Sequence, residues 1–217
     1  DYSHALICLS NTSLIEATVK GRVFTENPQR LIFDNIDDCK VLKLKSNISE
    51  ESKKIIESFL RSQVSTLYSI KEAVRTAKYG NTEDESQENG QFCSRLVAQA
   101  YDKINIKLVV NPNYCSPEDL HSSELLKVVP DAIRIATQND IDFSKTPSQI
   151  KENQIQTYDW LDQTVGLAKK EKFNIFSQND VGDFLIKHPE HDKRVCKYIK
   201  ETTYLTQYKK DEVVNTP

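Results

Sequence analysis

The chain of 217 residues contains no methionine and a single tryptophan. With no methionine even at its head, where Asp1 stands, it is expected to be a processed product, an excised domain or a partial stretch, so its first residues do not reveal a compartment. Long apolar runs are missing too. The longest fragments, such as Ala5–Leu9 and Leu108–Val110, fall far short of the roughly 20 residues a membrane-spanning helix needs. The expectation is therefore a soluble chain without a transmembrane segment, with its compartment left open and a secreted or periplasmic setting as one option. A basic surplus is likewise absent. Lys and Arg number 29 against 32 Asp and Glu, a net charge of −3, which leaves no electrostatic footprint for nucleic acid. The short pairs Lys169-Lys170 and Lys209-Lys210 read as solvated faces. Five cysteines (Cys8, Cys39, Cys93, Cys115 and Cys196) are odd in number and irregular in spacing, with no CxxC and no Cys/His ligand pair. Neither a disulfide framework nor a metal site is expected, and no cofactor. His188 and His191 flank Pro189 at a spacing unlike a helical zinc pair and read as a surface turn.

What is present suits a globular core: 38% hydrophobic and 28% charged residues, at a length for one domain with elaborations or one domain plus a helical appendage. The first 45 residues read as strands. Tyr2, His4, Leu6 and Cys8 alternate with Ala5, Ile7 and Leu9, Ser10-Asn11-Thr12-Ser13 is a turn cluster, and Leu14–Val19 resumes β-type residues, so a hairpin is expected. Gly21–Thr25, Arg30–Phe33 and Val41–Lys45 are further strand candidates. Ser49 then caps a helix whose stripe is Ile55, Ile56, Phe59, Leu60 and Val64. A second helical pattern runs from Tyr68 to Lys78. Residues 80–91 are polar and acidic, the composition of a mobile loop. Next comes the clearest helix, with Cys93, Leu96, Val97, Ala100, Tyr101 and Ile104 at helical spacing. Ser116-Pro117-Glu118-Asp119 starts another helix, with Ser116 as cap, and Val128–Ile135 reads as a strand. From about residue 148 the pattern is helical and more polar, with helices near 149–170, 178–187 and 190–207. No internal repeat is visible.

Cys93 draws attention on physical grounds. It follows a glycine-containing loop and opens an amphipathic helix, where unpaired backbone N–H groups and a positive partial charge favour thiolate over thiol. The same N–H groups can stabilise an oxyanion. By itself this position does not separate a nucleophile from a small buried hydrophobe. A nucleophilic cysteine needs a base and the base an orienting group; His4 and Glu16 offer both within one hairpin. A hairpin centred on Ser10 pairs His4 with Glu16, Leu6 with Leu14 and Cys8 with Thr12. A two-residue turn at Asn11-Thr12 puts Glu16 opposite Ile7 instead and leaves His4 unsupported. Periodicity leaves both registers open.

The segment SHALICLSNTSLIEA (Ser3–Ala17) resembles the His-bearing hairpin of the permuted NlpC/P60, or YiiX-like, papain-fold enzymes, in which a Glu follows the His by twelve residues. FCSRLVAQAYDKINI (Phe92–Ile106) is similar to their nucleophile helix. FLRSQVSTLYS (Phe59–Ser69) resembles their helix ending in a Tyr near the active site, and CSPEDLHSSELLKVV (Cys115–Val129) their Ser-Pro-x-Asp-Leu segment. His precedes Cys, as in the permuted group. The resemblance spans roughly residues 2–135. It implies an α+β fold with a permuted papain-like core, a small antiparallel sheet packed on the Cys-bearing helix, over residues 1–147, and a helical extension over residues 148–217. It also implies Cys93 as nucleophile, His4 as general base then acid, and Glu16 orienting the imidazole. Tyr68 would lie beside the site, and Ser94 would adjoin the oxyanion. Two departures stand out. Only three residues precede the His, where the family has a further segment. Arg95 replaces the acidic residue often found two positions after the nucleophile, which implies a different choice of substrate.

The activity so implied is hydrolysis of an amide or peptide bond through a thioester acyl-enzyme, with peptidoglycan stem peptides as a substrate class and a cell-wall hydrolase or antibacterial effector as the setting. Acyl transfer or ester cleavage on lipid-like substrates is the alternative. A third reading, an interaction module without turnover, would bind a protein partner through residues 148–217. The acidic loop reads as solvated, with gating or attraction of a cationic group as the other option. Cys115, also followed by Ser and a helix, is the rival nucleophile, disfavoured because it precedes the cap.

Overall fold

Alternating β-type residues separated by a polar turn do become a hairpin. The computed structural model describes residues 2–19, 21–79 and 90–207; residues 80–89 of the acidic stretch and the pair Lys209-Lys210 lie outside them. β1 (Ile7–Ser10) and β2 (Ser13–Ala17) pair antiparallel, and β3 (Val23–Glu26) pairs with β2 on its other side. The turn is the two-residue form at Asn11-Thr12, with Ser10 opposite Ser13. A bulge between Cys8 and Ser10 then shifts the pairing to Cys8–Leu14 and Ile7–Ile15. Neither expected register therefore holds: Leu14 faces Cys8, not Leu6, and β1 begins only after His4. A bulge inserts one unpaired residue and increases the local twist, which re-aims the chain leading into the strand.

As the middle strand, β2 is buried from Leu14 to Ala17. Ile15 and Ala17 join the core with Val23, while Glu16 is 9% exposed. A second, two-stranded antiparallel sheet joins β4 (Leu42–Leu44) to β5 (Leu126–Val128).

α1 (Glu50–Gln63) starts where Ser49 accepts a hydrogen bond from the Ser52 N–H, and it buries Ile56 and Leu60. α2 spans Ile70–Tyr79, and α3 spans Cys93–Asp102. α3 is buried far beyond its apolar stripe: Ser94, Arg95 and Ala98 are enclosed along with Leu96, Val97 and Ala100. It packs on β2, α1 and α4 (Pro117–His121), so little of its circumference is left for solvent. The Ser116–Asp119 capping box forms as expected. α5 (Gln138–Lys145) was not anticipated, although Thr137 and Asp140 form another capping box that the sequence displays.

Other expectations fail for local reasons. Arg30–Phe33 is not a strand; Asn27 caps a 3₁₀ turn over Pro28–Arg30, and Pro28 fits the first helical position. The strand expected over Val128–Ile135 ends at Val128, because Pro130 follows and Asp131 turns the chain with φ of 55°. The helix expected over 190–207 is broken at Glu201–Thr203.

Two compact units result. The first comprises residues up to Val64 and Tyr68–Thr146, and the second Ser65–Leu67 with the chain from Pro147 onward. The second unit consists of α6 (Gln149–Lys170), α7 (Asp180–Lys187), α8 (Asp192–Lys200) and α9 (Tyr204–Gln207). Its core gathers Trp160, Leu161, Val165, Ile175, Phe184 and Val195. Ser65–Leu67 is bonded into it by Leu67 N–H to the Phe176 carbonyl at 2.8 Å and by Gln178 N–H to Ser65 Oγ at 3.0 Å. His188 and His191 are more than a surface turn: their rings lie 5.3 and 5.8 Å from that of Phe184. No helix among the described residues is long and apolar enough to cross a membrane.

Leu96 is fully buried where α3 meets the rest of the first core. Leu96→Ala is expected to destabilise the chain by about 2–5 kcal/mol in urea unfolding; a loss below about 1 kcal/mol would show that α3 is not the central element.

Candidate active site

Three stretches of the first unit converge on Cys93. The first is the chain ahead of β1. Tyr2 donates its backbone N–H to Glu118 Oε2 at 3.0 Å, and its ring lies 4.7 Å from that of His121, so α4 holds the approach to His4. His4 Nε2 stands 2.6 Å from Glu16 Oε2. The second stretch is β2, which carries Glu16 with its side chain 11% exposed, against 40% for His4. The third is α3, whose first residue is Cys93, preceded by the cap Phe92 and 7% exposed. Cys93 and His4 lie close enough for each to shift the other's titration.

The electrostatics follow from these contacts. The hydrogen bond to Cys93, then that to Glu16, push His4 up from 6.5 to about 9 against the cost of burial. For Cys93, burial works against the thiolate. The hydrogen bond and charge of His4, with the backbone N–H groups of Ala5 and Ser94, outweigh it and hold the thiol below its ordinary 9.0. Opposite shifts on the two groups are those that favour a thiolate beside an imidazolium, with the Glu16 carboxyl against the ring. Such a pair can attack an electrophilic carbon and deliver a proton to the group that leaves.

Other residues named from the sequence fall in varied places. Tyr68 is half-buried, and burial followed by the charge of Cys93 pushes its phenol up, so it lies within electrostatic reach of the sulfur and stays protonated. Its N–H donates to the Gly21 carbonyl at 2.9 Å, and Ser69 N–H donates to the Gln91 carbonyl at 2.8 Å. These bonds fix the residues just before Cys93 against the β2–β3 turn, where Gly21 takes a φ of 127° that favours glycine. The Ser94 hydroxyl donates to the Cys115 carbonyl at 2.5 Å and is 1% exposed, so Ser94 meets the sulfur through its backbone alone. Cys115 is fully buried, and burial, then the charge of Asp119, push it up to about 12. That is the opposite of what a nucleophile needs. Burial likewise raises Cys8 and Cys39.

Arg95, the departure from the resembled pattern, is 4% exposed and bonded to Glu72, the Gly90 carbonyl and the Asn113 carbonyl. The glutamate that receives it was not singled out in the sequence. Glu72 sits on α2 where periodicity alone suggests a polar outer face, yet it is 1% exposed and also accepts from the Tyr114 hydroxyl. The only signal was the oddity of a charged residue beside the nucleophile. Among the described residues no cluster of His, Cys, Asp or Glu is arranged to hold a metal ion.

The chain matches no protein-family model, no curated protein and no solved structure. The chemistry of the site therefore rests on its own geometry.

The linkage has a defined sign. The raised pKa of His4 contributes stability present in full below 6.5 and lost as pH climbs through about 9. The lowered pKa of Cys93 contributes stability present above 9.0 and lost as pH falls through its folded value. Both contributions are stabilising, and as pH rises towards 9 the first falls while the second grows. Glu16→Gln removes one source of the His4 shift, so the titration of the His4 ring followed by NMR is expected to move down from about 9; an unmoved midpoint would mean that Glu16 does not support the imidazolium.

Proposed function

We propose that this chain is a cysteine hydrolase of the permuted papain-like arrangement that its sequence resembles, cleaving an amide or peptide bond through a thioester. The observation that carries the reading is the 2.6 Å contact of His4 with Glu16, beside a Cys93 whose titration and that of His4 are displaced in opposite directions by one another. In this mechanism Cys93 Sγ attacks the substrate carbonyl carbon, and the oxyanion forms beside the free N–H groups at the start of α3. The His4 imidazolium then gives its proton to the leaving amine as the C–N bond breaks. The neutral ring takes a proton from water, the hydroxide attacks the thioester, and the acid product leaves with the thiolate restored. Glu16 keeps the ring oriented and offsets its positive charge in both halves. Tyr68, protonated and near the sulfur, is placed to donate to the substrate or oxyanion. Peptidoglycan stem peptides are the substrate class we favour, on the resemblance of the four sequence segments.

A second reading, cleavage or transfer of acyl esters, draws support from α2. Ile70 and Val74 are 60% and 47% exposed on that helix, which starts soon after Tyr68. An apolar surface there suits an acyl chain. Parallel assays on stem peptides and on acyl esters separate the two, since only the peptide reading requires turnover of an amide.

Cys93→Ala is expected to abolish turnover, and His4→Ala to lower kcat about 10²–10⁴-fold. Retained activity in Cys93→Ala would sink the proposal. Turnover against pH is expected to rise through a limb set by the lowered Cys93 and to fall through a second limb near pH 9 as His4 loses its proton. A single limb at the ordinary thiol value would show instead that the pair is not charged in the working enzyme.

A further inference from the structure

The sequence leaves Arg95 conspicuous and unexplained. It is the third residue of α3, at the helix end where the backbone dipole disfavours a cation, and it is 4% exposed. Burying a guanidinium carries a desolvation cost that apolar residues of similar volume avoid, so stability alone is a poor reason for an arginine here. What it does have is a fork whose three nitrogens each make a hydrogen bond. Nε donates to the Asn113 carbonyl at 2.8 Å, one terminal nitrogen to the Gly90 carbonyl at 2.8 Å, and the other to Glu72 Oε2 at 3.2 Å. Its plane lies 4.5 Å from the Phe92 ring and 5.2 Å from that of Tyr114. Tyr114 in turn donates its hydroxyl to the same oxygen of Glu72.

The acceptors are spread across the chain. Gly90 lies three residues before Cys93, Phe92 is the cap of α3, and Asn113 precedes Cys115, whose carbonyl takes the Ser94 hydroxyl. Glu72 belongs to α2, which follows Tyr68. Every stretch that frames the sulfur from the α3 side thus ends on one guanidinium. A lysine ammonium is a point charge and cannot span three acceptors in one plane.

We propose that Arg95 is a positioning residue for Cys93: by tying Gly90, Asn113 and Glu72 together it fixes the first turn of α3, and with it the separation of the sulfur from His4. The inference rests on the Cys93–His4 pair proposed above. With the fork removed, the Gly90–Phe92 approach is held by fewer bonds, the sulfur drifts from the imidazole, and the thiolate loses its main support.

The test is the rate of iodoacetamide labelling of Cys93 against pH, read by peptide mass spectrometry, in wild type, Arg95→Lys and Tyr114→Phe, with the exposed Cys196 as internal control and a thermal melt of each protein. Arg95→Lys is expected to move the labelling midpoint up by about one unit, so that labelling at neutral pH slows about tenfold while Cys196 is unaffected. Tyr114→Phe keeps the ring beside Arg95 and loses the hydroxyl bond to Glu72, so a smaller shift in the same direction is expected; it decides the matter should Arg95→Lys not fold. A lowered melting temperature with an unmoved midpoint in the folded variants would overturn the proposal and leave Arg95 as core packing. A wild-type midpoint at the ordinary thiol value would instead remove the Cys93–His4 pair, and this inference along with it.

Discussion

Cys93 has 7% of its surface exposed, and a sulfur so enclosed stays a thiol unless something beside it stabilises charge. Burial is the largest influence on it and acts against ionisation. His4 reverses that balance, assisted by the N–H groups of Ala5 and Ser94. Each of these donors comes from a different kind of structure: a side chain ahead of a strand, a backbone amide on the same stretch, and the first turn of a helix. The site exists only where the three arrive together, so the architecture of the first unit can be understood as what holds them at one point.

That holding is done largely by polar contacts in a buried setting. The segment from Asn113 to Asp119 touches both sides. Its Asn113 and Cys115 carbonyls receive Arg95 and Ser94 from α3, while Glu118 accepts the Tyr2 N–H ahead of His4. The capping box of Ser116 and Asp119 makes the start of α4 rigid enough to serve. A buried polar network of this kind specifies one arrangement, because every misplacement strands a donor or acceptor away from water. The apolar core around Leu96, Leu60 and Ile15 supplies the attraction, which is indifferent to small shifts; the directed bonds remove that freedom.

The segments that carried chemistry were readable as a pattern. Cys93 at the opening of a helix, the twelve-residue interval from His4 to Glu16, and the capping box at Ser116 can all be seen in one dimension, because caps and helical stripes are local. The register of the hairpin could not be chosen, and the structure took neither expected form. A bulge between Cys8 and Ser10 sets Cys8 opposite Leu14, and His4 reaches Glu16 from outside the paired strand. Arg95 was visible as a departure from the resembled pattern, but its partners lie 5, 18 and 23 positions away along the chain, beyond the reach of local patterns.

Local order in this protein belongs to the amino-acid sequence alone: where helices begin, which residues share a stripe, and that one cysteine opens the most regular helix. These follow from hydrogen bonds and side-chain periods that span a few residues. Which cysteine becomes acidic did not. Cys93 and Cys115 are each followed by Ser at or near a helix start, yet one is drawn below its ordinary value by His4 and the other is pushed to about 12 by burial, the charge of Asp119 adding to it. A pKa depends on charges and donors brought within a few ångströms from distant parts of the chain, and only the folded arrangement sets those distances.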